Sequence, residues 1–229
     1  MRRDGNITSV IRRRGFSASD AAKTLRRLFA LILFAVGVWA GWRAWRGWRE
    51  THGPQFADTA IGGTRLRVHA AYLRPGATPG PSADRVDLVL RFPDFAPAGA
   101  APPRDPAAFF VLALQASDRS VDPSERMEKL YGRFLERDVW THPGGLFMRR
   151  FENASPYERE DLYFAPPEGR RFAARCVRPA QPPDGLPNMC VSEFRQRGLD
   201  AQIRFSPDLL PDWERLHEGS RALIEQMAR

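Results

Sequence analysis

The stretch Arg171 to Arg195, RFAARCVRPAQPPDGLPNMCVSEFR, decides how the chain folds. Two strand-like runs flank a Pro-rich segment whose Asp184-Gly185 reads as a turn, so the runs fold back on each other as antiparallel neighbours. That arrangement brings Cys176 and Cys190, the only two cysteines, within bonding range. A disulfide is the expected result. It would close a loop of about 15 residues and stabilise the fold by roughly 3 kcal/mol in the chain-entropy model. Two buried free thiols are the alternative, and would hold if the domain were cytosolic. A zinc site is not expected, because the cysteines lack short-spaced partners and no histidine clusters beside them.

Outward from this hairpin the same pattern repeats. Leu146 to Phe151, Asp161 to Ala165 and Asp200 to Phe205 read as further short strands, which makes a meander. Upstream, Thr64 to Leu73 alternates with Leu66, Val68 and Ala70 on one face, and Arg85 to Phe92 places Val86, Leu88 and Leu90 on one face. Ala107 to Gln115, AAFFVLALQ, is a continuous apolar run suited to a strand covered on both faces. PGATPGP and the Pro- and Ala-rich Pro93 to Pro106 are loops.

Two helices complete the domain. Asp122-Pro123-Ser124-Glu125 combines a capping Asp with Pro at the first helical position, and the helix should run to Glu136 with Met127, Leu130, Phe134 and Leu135 as its apolar stripe. Pro211 to Ala228 predicts a terminal helix facing inward through Trp213, Leu216, Leu223, Ile224 and Met227. The expected fold is therefore α+β: a mostly antiparallel sheet with two amphipathic helices packed on one face, over residues 61–229. A domain of this size buries enough surface to fold without a cofactor, and none is expected.

The first fifty residues differ in kind. Leu28 to Trp42, LFALILFAVGVWAGW, carries no charge, and extension to Trp48 gives 21 residues if Arg43 and Arg46 snorkel to the headgroups. As a helix this length spans about 31 Å, enough for the hydrocarbon core. Four of the six tryptophans, Trp39, Trp42, Trp45 and Trp48, cluster at its exit as a membrane-interface belt would. The expected order is a basic cytoplasmic tail at 1–27, a single transmembrane helix at 28–48, a linker at 49–60 and a periplasmic domain beyond, in a bacterial inner membrane. A cleaved signal peptide ending near Ala40 is the alternative. Gly37 and Gly41, four apart, would let two copies pair through this helix.

The net charge of +8 suggests a nucleic-acid binder until it is apportioned. Residues 1–49 hold eleven Lys or Arg against two Asp; the remaining residues hold 24 basic against 25 acidic. The domain is thus near neutral, which argues against nucleic acid as a partner; the lipid bilayer and an envelope protein are the partners expected. Scarce lysine with abundant Ala, Pro and Gly points to a G+C-rich bacterial genome.

The chain shows no metal-binding His pair, nucleophile elbow or phosphate loop, so no catalytic, cofactor-binding or metal-binding residue is marked. His142-Pro-Gly-Gly145 resembles an oxyanion-forming loop, but Pro143 lacks one amide donor. Asn153-Ala-Ser155 is a formal glycosylation acceptor, without meaning in a bacterial protein. The expected role is non-enzymatic: binding of an envelope protein by a membrane-anchored domain. The alternative is a periplasmic hydrolase whose site gathers His142 or His69 with Glu158, Glu160 or Asp161; a second is a secreted soluble binding protein.

Overall fold

A computed structural model describes residues 27, 29, 31–45, 55–74, 76–99, 105, 108–118, 120–178 and 189–229. The chain divides into two units, Met1–Gly53 and Pro54–Arg229. In the first, residues 31–45 are helical (α1). Trp39, Trp42 and Trp45 lie on it and are about half exposed, with Arg43 over the Trp39 ring at 5.2 Å. Among the described residues no helix is long and apolar enough to cross a membrane. Trp48, the basic tail and the Asp184-Gly185 turn lie outside the described residues.

The second unit is built on an antiparallel sheet of eight strands: β3 (Arg85–Arg91), β4 (Phe109–Ala116), β5 (Trp140–His142), β6 (Leu146–Arg150), β7 (Glu160–Phe164), β8 (Ala173–Val177), β9 (Cys190–Gln196) and β10 (Leu199–Phe205). Their order is β3-β4-β10-β9-β8-β7-β6-β5, so the expected meander is β6 to β10, β5 extends it by one short strand, and the β3–β4 hairpin joins through β4 against β10. A separate hairpin pairs β1 (Phe56–Ile61) with β2 (Thr64–His69). β1 falls largely within the stretch read as a linker, because FADTAI is short and holds only two large apolar side chains.

Alternation along the strands separates two faces. On one, the larger core gathers Leu88, Leu112, Phe194 and Ile203 with Leu66 and Val68 of β2 and with Trp213, Leu216, Leu223, Ile224 and Met227 of α2 (Trp213–Met227). The last residues also join this layer: Ala228 bridges Leu66, and the Arg229 N–H donates to Arg65 O at 3.0 Å. On the other face, Phe151, Leu162 and Phe164 pack under Tyr131 and Leu135. The two helical segments therefore cover opposite faces, not one, because β6, β7 and β8 send alternate apolar side chains both ways.

The segment over that second face is also not the regular helix its sequence predicts. It consists of a 3-10 turn at Pro123–Glu125, a π turn at Met127–Tyr131 closed by Gly132 N–H to Met127 O, and a 3-10 turn at Gly132–Phe134. The cap itself forms as expected, with Asp122 accepting from Ser124 N–H. Met127 and Tyr131 pack on the sheet from the π turn, and Leu135 reaches it because the backbone turns extended there and bridges Phe151.

The two sheet edges differ. β3 is covered by bridges from Leu73 to Leu88 and from Pro97 to Leu90. β5 is short and preceded by a bulge, where Leu135 bridges Phe151 and the Arg149 guanidinium donates to Glu136 O at 2.8 Å. Close backbone approaches fix two loops. Phe95, at φ 56°, lays its ring against α2 at Gly219, where any Cβ would meet it. Gly144, at φ 81°, abuts Pro211 just ahead of α2.

Candidate functional site

The cysteines are joined as expected. The Cys176–Cys190 disulfide links β8 to β9 at a directly paired position, with both residues buried. It pins one end of the β8–β9 ladder, and the other end is where the two strands part. β8 pairs with β9 only at Cys176↔Cys190, Arg175↔Val191 and Ala174↔Ser192, while β9 pairs with β10 along its whole length.

Where β8 leaves off, a cleft of about 430 Å³ opens. Its floor is aromatic: Phe172, Phe194, Trp213 and His217, with Trp213 tilted on Phe172 at 5.0 Å and His217 edge-on to Phe194 at 4.8 Å. The Trp213 indole N–H donates to Gly144 O at 2.9 Å, so the His-Pro-Gly-Gly loop serves to seat the start of α2. Arg170, Arg171, Arg195 and Arg221 line the walls, opposed by Asp122, Glu193 and Glu218.

These charges are unequally engaged. Arg195 grips Asp200 through two bonds of 2.6 and 3.1 Å, and this contact raises its already high pKa. Glu193 is held by Arg126 and Gln202, and Arg170 by Glu168 and Glu128 at 2.8 Å each. Asp122 accepts from the Ser124 hydroxyl at 2.6 Å, which with the neighbouring amide and arginines keeps it below the usual carboxylate range. Arg171 meets Glu214 at 3.1 Å in an exposed pair while lying over the Trp213 ring. Arg221 lies over Phe194 at 5.4 Å and has no ion pair among the described residues. Burial, reinforced by Arg221 and Arg171, lowers the His217 pKa to about 4, so the ring is neutral near pH 7.

Chemically, the cleft can enclose an apolar group and meet carboxylates. It does not assemble a nucleophile and base: the Ser124 hydroxyl is committed to its own cap, and His217 hydrogen-bonds neither Ser124 nor Asp122. The residues named for a hydrolase are not brought together. His69 caps the turn at Ala71, and His142 stacks edge-on to Tyr163 at 4.9 Å. Glu160 binds Arg175 at 2.6 Å, Asp161 binds Arg178 at 2.7 Å, and Glu158 takes the Ala154 amide. Ser155 is buried in a turn, where its hydroxyl accepts from Tyr157 N–H. Sequence reading missed the cleft because its residues come from four separated segments; the Arg170-Arg171 pair and His217 on the inner side of α2 were the available signals.

No protein-family model and no curated protein matches the chain. Among solved structures, the chain is similar to an immunity protein of the Stenotrophomonas maltophilia type IV secretion system, with a TM-score of 0.58 and 18% identity over 78% of this chain and 96% of that one. A second similarity, to the Neisseria meningitidis iron-regulated outer membrane lipoprotein FrpD, has a TM-score of 0.44 and 11% identity over 76% and 92% of the two chains. The first likeness establishes a shared fold.

Proposed function

We propose that the chain is a bacterial envelope protein that acts by binding another protein, held at the inner membrane by the helix over 28–48, with its tail in the cytoplasm and its α+β domain in the periplasm. The observation that carries the binding role is the cleft: aromatic and arginine side chains, the types enriched where protein interfaces concentrate their energy, line an opening that assembles no catalytic group. The disulfide suits an oxidising compartment. The fold shared with a secretion-system immunity protein makes protection of the cell, by engaging a secreted protein that reaches the envelope, the role to test first. The exposed tryptophans of α1 supply the interfacial belt, and Gly37 and Gly41 a face on which two copies pair. Tethering raises the effective concentration of the domain near a membrane-borne partner.

The test uses the intact chain. A reporter active only outside the cytoplasm, fused after Arg229, should be active, and the protein should stay in the membrane pellet after carbonate washing. Affinity capture from membranes should then return a second chain at comparable amount. Release of a species about forty residues shorter would replace the anchor by a cleaved signal, and capture of the intact protein alone would overturn the binding role.

A further inference from the structure

The geometry points to the gap between β8 and β9 as a slot for one extended, acidic segment of the partner, which adds as a strand onto Glu193–Gln196. This rests on the binding role proposed above. β9 runs Cys190–Gln196, yet its β8 side is paired only as far as Ser192. The Ala174↔Ser192 pair is of the non-hydrogen-bonded kind, so its flanking bond runs from Glu193 N–H to Ala173 O and is the last that β8 makes to β9. In an antiparallel strand alternate residues turn both N–H and C=O to one side, so the Glu193 C=O and both groups of Arg195 face the gap. An added strand would lie about 4.8 Å from β9 and run about 13 Å along it.

The other edges of the eight-stranded sheet offer less. β3 is bridged at Leu88 and Leu90, and β5 is three residues long behind a bulge. The walls of the gap define the occupant. A side chain on the α2 face meets Phe172, Phe194, Trp213 and His217, which calls for an apolar residue. On the same face Arg221, which has no ion pair among the described residues, and Arg171, whose exposed pair with Glu214 is weak and exchangeable, meet carboxylates two residues to either side of it. Main-chain bonds then supply affinity, and the alternating side chains supply selectivity.

The probe is a library of random eight-residue peptides selected on the full chain in detergent micelles. Enriched peptides should carry an apolar residue with acidic residues two positions to either side of it. Each should lose at least tenfold in affinity when the central amide is N-methylated, and again when the chain carries Arg221→Glu, a change on the exposed side of α2. Binding should also slow hydrogen exchange at the Arg195 amide. Failure to enrich any peptide, indifference to N-methylation, or protection appearing at β5 instead would each overturn the slot. A second chain still captured from membranes in those cases would leave the binding role standing and move it to another surface.

Discussion

Replacing His217 by Leu should flatten the acid side of the domain's stability profile. The imidazole is packed between Phe172 and Phe194 with Arg171 and Arg221 nearby, and its pKa is lowered from 6.5 to about 4. As pH falls through 6.5 the unfolded chain takes up a proton that the folded chain refuses until about pH 4, so stability is full above 6.5 and drains away between these values. The slope approaches about 1.4 kcal/mol per pH unit, which removes roughly 2 to 3 kcal/mol by pH 4.5. Urea unfolding followed by circular dichroism, at half-unit steps from pH 7.5 to 4.5, measures the effect as a difference between the two proteins. Carboxylates held below their ordinary pKa, Asp94, Asp118, Asp122 and Glu225, lose their contribution at the acid end in both proteins and cancel in that difference. Parallel profiles would refute the reasoning, because they would mean that His217 titrates as freely in the folded chain as in the unfolded one.

Three further outcomes are expected. Cys176→Ser or Cys190→Ser should lower stability by about 3 kcal/mol, or roughly 6 to 12 °C in Tm, by calorimetry, and alkylation without reduction should find no free thiol in the exported wild type. Gly219→Ala should destabilise by about 1 to 3 kcal/mol in urea unfolding, since its Cβ would drive the Phe95 ring from α2; in Phe95→Ala the same change should be much milder, and equal effects in both backgrounds would refute that contact. Residues 55–229, exported without the first 54 residues, should give a folded monomer by circular dichroism and sedimentation; an unfolded product would mean that the domain needs the preceding unit or a partner.

Much of the sheet was legible because its strands are apolar runs bounded by Gly, Pro or charged turns, with β8 and β9 alternating in burial; β7, β9 and β10 fall within a residue of their expected limits. β1 and β5 escaped because FADTAI and WTH are too short to establish a period. The segment after Asp122 carried a sound cap and a helical stripe, yet against the sheet it forms short 3-10 and π turns, with Leu135 extended and bridged to Phe151. The hydrolase residues were read as neighbours in composition, whereas strand geometry sends adjacent Glu160 and Asp161 to different arginines. The cleft was illegible for a topological reason: it exists because β8 begins at Ala173 instead of Arg171, a shortfall visible only once the ladder is counted.

The position of β10 in the middle of the sheet sets a timetable for the growing chain. Strands β6 to β10 each meet their immediate predecessor, so the β5–β10 part can assemble by short, inexpensive loop closures. β4 has no such neighbour on its inner side: Ala116 waits for Leu199, and Phe110 for Phe205. At about 5 to 20 residues per second, the eighty or so residues between them take roughly 4 to 16 s to synthesise. For that interval the β3–β4 hairpin exposes the edge of FFVLALQA, an apolar stretch able to recruit a strand from another molecule. Sealing the sheet is therefore a late, non-local event, and the nascent chain is most vulnerable to aggregation before β10 arrives.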